Sequence, residues 1–164
     1  MAQQGLDEDG IVLMEEGLAA FRATRAGTGL PRRLSMLAEA CIQSRRLNDG
    51  LRVLTEALAV TNETEGRSYE AEIYRLKGEL LLRRDDSSIP EAWSCFQQAI
   101  EIARRQSAKS LELRATISLA RLLVSQGRRD EARPILAEIY NWFTEGFDNA
   151  DLKDAKTLLD NLSV

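Results

Sequence analysis

The 164-residue sequence contains no histidine, and it has only two cysteines, three prolines and 5% aromatic residues. Without histidine the chain cannot use imidazole as a general acid or base, as a metal ligand or in a Ser-His-Asp triad. The two cysteines, Cys41 and Cys95, are not spaced as a metal-binding pair. We interpret them as small, buried apolar residues with reduced thiols. The absences therefore disfavour most catalytic and metal-dependent functions.

Long apolar runs and an excess of positive charge are also absent. No stretch approaches the roughly 20 apolar residues that a membrane-spanning helix needs. The acidic start, with Asp7, Glu8 and Asp9, is unlike a signal peptide. The net charge of -4 and the isoelectric point of about 5.1 disfavour nucleic acid as a partner, because phosphate binding usually requires a basic surface. We expect a cytoplasmic protein that binds neither membrane nor nucleic acid.

The residues that dominate the sequence are Leu, Ala, Glu and Arg, which are strong helix formers and predict an all-α fold. The residues that mark helix ends agree with this. Pro31 and Pro90 suit first helical turns, Asn48 and Ser88 suit N-caps, and Gly127 suits the position just after a helix.

An internal repeat is the main feature of the sequence. Small residues recur at Gly10, Gly50, Ala92 and Ala132, with spacings of 40, 42 and 40, and large residues follow the same spacings at Met14, Leu54, Phe96 and Leu136. A second small column runs through Ala38, Gly78 and Ala120. Small residues let antiparallel helices approach closely, and any antiparallel bundle alternates small and large residues. Coincident spacing in several columns favours a true repeat.

We predict one array over residues 1–164: an all-α, right-handed superhelical solenoid of antiparallel helix hairpins with a period of about 40 residues. Its parts are an orphan second helix at 9–25, hairpins at 30–62, 68–106 and 109–145, and a capping helix at 149–162. Because the first part lacks its hairpin mate, we expect a fragment of a longer protein. The apolar residues Leu13, Met14, Leu18 and Phe21, some of which must pack onto the next hairpin, then predict self-association through residues 9–25.

Two resemblances to known families add to this. The positions Ala38, Cys41, Gly50, Leu54 and Ala57 resemble the tetratricopeptide repeat (TPR), although that family's usual period is ~34 residues.

The strings RLKGELLL at 75–82, SLARL at 118–122 and YNWFTEGFD at 140–148 resemble the C-terminal helical region of large bacterial signalling proteins. Those proteins carry an AAA-like or STAND-type ATPase and often an adenylate/guanylate cyclase domain. The resemblance implies a C-terminal arm. Since no GxxxxGK[ST] loop occurs here, an ATPase or cyclase would lie outside this chain.

The TPR resemblance also implies a concave groove lined by the first helix of each hairpin. The groove residues are Arg32, Glu39, Gln43, Glu72, Arg75, Glu79, Arg83, Arg114, Arg121 and Ser125. Four of them, Arg75, Arg83, Arg114 and Arg121, form an arginine stripe suited to the carboxylates of a bound peptide. The alternative, which the charge pattern favours, is a solvent-exposed face on which the arginines form ion pairs within the chain, such as the i,i+4 pair Arg75–Glu79.

The sequence therefore predicts a non-catalytic protein–protein interaction or regulatory scaffold without cofactors. Its partner would be a protein or peptide, including the rest of its own parent chain. The alternative is a ligand-sensing domain that binds a small molecule or peptide in the groove and signals to an upstream catalytic or DNA-binding domain. We interpret Trp142, Phe143 and Phe147 as packing for the terminal helix rather than as an exposed docking patch.

Overall fold

The computed structural model describes residues 2–24, 29–63 and 67–163. Within these ranges the chain forms α-helices and two short 3-10 turns and contains no strand, so the predicted all-α class is confirmed. The helices are α1 (Ala2–Ala23), α2 (Leu30–Gln43), α3 (Leu47–Glu63), α4 (Glu70–Arg84), α5 (Ile89–Arg105), α6 (Lys109–Ser125), α7 (Arg129–Tyr140) and α8 (Ala150–Leu162). None of the helices in the described ranges combines the length and apolarity needed to cross a membrane.

Two of the expected helix boundaries differ from the structure by more than two residues. Helix α1 begins at Ala2 rather than near residue 9, and Arg25, the expected last residue, lies outside the described ranges. Helix α7 ends at Tyr140 rather than 145, because i-to-i+3 hydrogen bonds tighten its last turn. The N–H of Trp142 donates to Ile139 O at 3.3 Å, and the N–H of Phe143 donates to Tyr140 O at 3.2 Å.

The predicted N-caps have mixed outcomes. Asn48 lies inside α3, which begins at Leu47, so its predicted role as a cap is wrong. Ser88 does occupy the N-cap position of α5, but its side chain makes no capping hydrogen bond. Asn149 caps α8, since its Oδ1 accepts from the N–H of Leu152 at 2.9 Å. A cap of this kind is typically worth about 1 kcal/mol.

Three helices are each followed by a residue in the left-handed conformation. Arg45, Ser107 and Gly127 have φ angles of 58°, 54° and 74°. The next residue in each turn donates its N–H to a helix carbonyl five positions back: Arg46 to Cys41 at 2.8 Å, Ala108 to Ala103 at 2.9 Å and Arg128 to Leu123 at 2.9 Å. This is the Schellman pattern, which favours glycine because other residues are strained at positive φ. Gly127 acts as predicted, and Arg45 occupies the equivalent repeat position.

The helices form two layers. Each helix packs against the next along the chain, and α2, α4, α6 and α8 also contact one another in turn. Within the described ranges, the backbones of α1, α3, α5 and α7 do not contact one another. We call α2, α4, α6 and α8 the first-helix layer and the others the second-helix layer. All predicted groove residues lie on the first-helix layer.

The repeat columns are buried between these layers. Leu54, Phe96 and Leu136 are at most 1% exposed, and Ala92 and Ala132 are fully buried. Burying a large apolar side chain stabilises the fold by roughly 1.5–3 kcal/mol, so these columns are a main source of stability. The first member of the large column differs, because Met14 of α1 is 41% exposed.

Candidate functional site

Arg75 and Glu72 form a buried ion pair on α4. Arg75 Nη2 lies 2.7 Å from Glu72 Oε1, and Arg75 Nε donates to Glu72 Oε2 at 3.0 Å. The two residues are only 8% and 3% exposed. Burial lowers the pKa of the Arg75 guanidinium, but the hydrogen bonds and charge of Glu72 outweigh it, so its pKa is raised. The bidentate geometry holds the two side chains in one fixed arrangement.

Arg114 of α6 connects this pair to three other helices. Its Nη1 lies 2.9 Å from Glu72 Oε1 on α4, and its Nη2 lies 3.3 Å from Glu39 Oε1 on α2. Its Nε is 3.9 Å from Asp151 Oδ1 on α8. Arg75 also reaches Glu39, at 3.6 Å. One guanidinium group therefore links the whole first-helix layer.

Glu79 extends the same arrangement. Its Oε1 lies 3.6 Å from Arg75 Nη1 and accepts a hydrogen bond from Ser118 Oγ of α6 at 2.7 Å. The i,i+4 pair that the sequence suggests is therefore present. We call Glu39, Glu72, Arg75, Glu79, Arg114 and Asp151 the carboxylate–guanidinium cluster. It contains four carboxylates and two guanidinium groups, so it carries an excess of negative charge.

The two outer arginines of the predicted stripe also have partners within the chain. Arg83 Nη1 donates to the main-chain oxygen of Ile42 at 2.9 Å. Arg121 Nη2 lies 2.5 Å from Asp154 Oδ1 of α8, and the side chains are 54% and 40% exposed. These two contacts lie at the rim of the cluster, where solvent weakens them.

The remaining predicted groove residues do not join the cluster. Arg32 is exposed and has its guanidinium 6.0 Å from the centre of the Tyr69 ring. Gln43 is exposed at the end of α2, and Ser125, at the end of α6, donates its hydroxyl to Leu122 O at 2.7 Å. These three residues mark the ends of the layer rather than its centre.

The stripe is thus internally compensated. Arg75, Arg114 and Arg121 face carboxylates of the chain, and Arg83 faces a carbonyl oxygen. This arrangement supports the alternative, in which the arginines of this face form ion pairs within the chain. The binding of a partner in this groove stays a prediction.

Sequence reasoning missed a second polar cluster, at the junction of α5 and α6. Glu112 is 3% exposed and lies 2.7 Å from both Arg104 Nε and Lys109 Nζ. Burial raises the pKa of this carboxyl group, but the two cationic hydrogen bonds outweigh burial and lower it. The i,i+3 spacing of Lys109 and Glu112 was a visible signal. Arg104 lies on α5, and the left-handed turn at Ser107 places it next to Lys109 and Glu112 of α6.

Two cavities on the second-helix layer occupy equivalent repeat positions. One of about 290 Å³ lies between α5 and α7 over α6, and one of about 230 Å³ lies between α1 and α3 over α2. Their matching lining residues are Ile100 and Leu18, Leu119 and Leu37, Ile135 and Val53, and Arg104 and Arg22. The matching extends to ion pairs, since Arg22 pairs with Glu56 and Arg104 with Glu138. The repeat register therefore holds for polar contacts as well as for the apolar columns.

The C-terminal aromatic residues pack less completely than expected. Phe143 packs against the core shared by α6, α7 and α8. Trp142 is 58% exposed, with Lys109 Nζ 5.6 Å from its ring, so its assignment to packing is wrong. Phe147 is 45% exposed and lies on Tyr140 with ring centres 5.7 Å apart.

The cysteines are buried as predicted, with Cys41 0% and Cys95 5% exposed. Burial raises the pKa of both thiols, which keeps them protonated and unreactive. Among the described residues, no group of three or more Cys, Asp or Glu side chains is arranged to hold a metal ion.

Comparison with known proteins gives no relative: no protein-family model and no curated protein matches the chain.

Proposed function

We propose that the chain is a non-catalytic interaction arm of a larger bacterial signalling protein of the ATPase or cyclase type. In this proposal the layers continue a right-handed TPR-like solenoid, and the arm works in the cytoplasm. The resemblance of the strings at 75–82, 118–122 and 140–148 supports the parent class. The shared contacts of the two halves, such as Arg22–Glu56 and Arg104–Glu138, support the repeat.

The carboxylate–guanidinium cluster is the observation that carries the interaction role. It links α2, α4, α6 and α8 through Arg114. A surface held by ion pairs across four helices presents its exposed groups at fixed positions. Such preorganisation lowers the entropic cost of binding.

The exposed charged groups of this surface determine which charge pattern a partner's surface must have. The side chains of Glu39 and Asp151 are 39% and 44% exposed, and that of Glu79 is 26% exposed. Arg83 and Arg121 lie at the rim. The best complement is therefore a protein surface with a basic centre and acidic flanks, rather than the carboxylate-rich peptide that an open arginine stripe would bind.

Charge reversal at the rim tests this proposal. The double variant Arg83→Glu/Arg121→Glu changes the rim and leaves the buried Arg75–Glu72 pair intact. We expect it to weaken binding to the separately produced upstream region of the parent protein by about tenfold or more at low salt, since rim charges set complementarity. Arg133→Glu, on the exposed face of α7, is the matched control. Equal binding by both variants, or no binding by the wild type, contradicts the proposal.

A ligand sensor remains the second candidate, and the cavity between α5 and α7 favours it. Its volume of about 290 Å³ is near the lower limit of small-molecule sites, which is ~300 Å³. Ile100, Leu119 and Ile135 supply an apolar lining, and Gln97 and Arg104 supply polar groups. The site lies on the second-helix layer rather than in the predicted groove.

Thermal unfolding in the presence of metabolites and nucleotides separates the two candidates. A ligand at 100 times its Kd should stabilise the protein by ~2.7 kcal/mol. Ile135→Trp fills the cavity, so a sensor should lose this response in the variant. A scaffold should show no response in either protein.

A further inference from the structure

Helix α1 has two apolar faces, and only one of them is packed. Ile11 and Leu18 are 1% and 5% exposed and lie in the core shared with α2, α3 and α4. Leu13 and Met14 are 67% and 41% exposed and form the open face, while Val12, which is 49% exposed, lies on a different side of the helix. Of the four residues expected on the outward face, Leu18 is one that packs onto the next hairpin.

The internal repeat shows that this exposure is unusual for these positions. The equivalents of Leu13 and Met14 are Val53 and Leu54 in α3, Cys95 and Phe96 in α5, and Ile135 and Leu136 in α7. All of these are at most 5% exposed except Ile135, which is half-buried. In the later hairpins, helices of the first-helix layer pack against α3, α5 and α7. The open face of α1 therefore has the character of a helix–helix contact.

Two glycines also indicate that the open face of α1 is suited to a helix–helix contact. A Cβ on Gly10 or Gly17 would meet nothing within 4 Å, whereas one on Gly50, the equivalent of Gly10, would lie 3.6 Å from Cys41 Cβ. Gly10 and Gly17 are two helical turns apart and flank Leu13 and Met14 on one face. Small residues at such spacing allow the backbone of another helix to approach closely.

Met36 of α2 extends the surface. It is 50% exposed and, with Met14, Gly17 and Arg33, lines a shallow cavity of about 140 Å³. The far end of the protein is different, because the outer face of α8 carries the exposed residues Lys153, Lys156, Asp160 and Asn161. A head-to-tail contact would therefore set an apolar face against a charged one.

We propose that the open face of α1 binds α1 of a second copy of this chain, antiparallel and about a two-fold axis. Symmetry about the Leu13–Met14 peptide places Gly10 of one copy opposite Gly17 of the second copy, so both ends of the contact pair small residues.

Charge supports the same orientation. Asp9 is exposed in the first half of α1, while the exposed Arg33 of α2 stacks on Phe21 near the end of α1, with its guanidinium 4.2 Å from the ring centre. Antiparallel pairing brings Asp9 of one copy to the same end of the contact as Arg33 of the other copy. This inference is independent of the proposed binding surface on the first-helix layer.

Sedimentation of the full chain tests the pairing. We expect a monomer–dimer equilibrium that is populated by about 100 µM protein. Met14→Asp should weaken dimerisation at least about tenfold, because it places a charge at the centre of the contact. Ala19→Asp, an exposed site on the opposite side of the same helix, is the matched control and should leave the equilibrium unchanged. Because both sites are exposed, both variants should melt within a few degrees of the wild type.

Gly17→Ala distinguishes the proposed pairing from non-specific hydrophobic association. The methyl group has free space in the monomer and alanine favours the helix, so the melting temperature should rise. The same methyl group should weaken the dimer, because it separates the two backbones. A strictly monomeric chain, open-ended oligomers, or tighter association of Gly17→Ala would each overturn the proposal.

Discussion

Gly78 of α4 lies directly against the ring of Phe96 of α5, so that a Cβ on Gly78 would be 2.5 Å from Cε1 of the ring. The flanking hairpins have pairs without a ring at these positions, Ala38 with Leu54 and Ala120 with Leu136. The middle hairpin thus lacks a methyl group on its first helix and carries an aromatic ring in place of a leucine side chain on its second. Close packing makes the two choices dependent on each other.

Gly78→Ala should therefore destabilise the protein by about 1–3 kcal/mol despite alanine's better helix propensity, because the ring must move or the helices must separate. Phe96→Leu alone should cost about 1–2 kcal/mol through the space it leaves. The double variant, which reproduces the flanking hairpins, should be more stable than the sum of the two effects allows. Urea unfolding of all four proteins measures this coupling. Simple additivity would show that the two positions do not constrain each other.

The buried ion pair and the rim ion pair should respond differently to deletion. Glu72→Ala leaves Arg75 and Arg114 without their closest carboxylate. Breaking a buried ion pair costs up to about 3–5 kcal/mol, and Glu39 and Glu79, each 3.6 Å from Arg75, compensate only part of the charge. Arg121→Ala removes an exposed pair and should cost no more than about 1 kcal/mol. Chemical denaturation distinguishes them. Equal losses would mean that the carboxylate–guanidinium cluster contributes no more than a surface contact.

Glu112 should make stability depend on pH. Its folded-state pKa lies below its ordinary value of 4.5, so its stabilising effect is complete above that value. The effect is lost as the pH falls through the lower folded-state pKa. Glu112→Gln should therefore be less stable than the wild type at pH 7, and the gap should narrow as the pH falls below 4.5. Denaturation at several pH values provides the measurement, and a gap that is constant with pH would contradict it.

The buried thiols predict slow labelling. Because Cys41 and Cys95 are 0% and 5% exposed, and burial raises their pKa, a thiol reagent should react with neither in the native protein. Both should react at once in denaturant. Native labelling at a rate that does not depend on stability would show that these helices open locally.

The sequence predicted the helices and the buried columns well, because both arise from local periodicity and from small residues such as Ala92 and Ala132. It failed where contacts join distant segments. The spacing of Arg75 and Glu79 was visible along one helix, but the contact of Arg114 with Glu39 depends on how α2 and α6 lie in space. Likewise, nothing local distinguishes Leu18, which packs on α2, from Leu13, which does not.

Arg114 has a consequence for how the chain unfolds. In an array whose hairpins touch only their neighbours, stability is nearly a sum of local terms and the ends can fray independently. Arg114 instead reaches α2 and α8 as well as α4, so it couples units that are not adjacent. Loss of either end removes partners from the same guanidinium group. We therefore expect the array to melt with longer-range cooperativity than a nearest-neighbour chain.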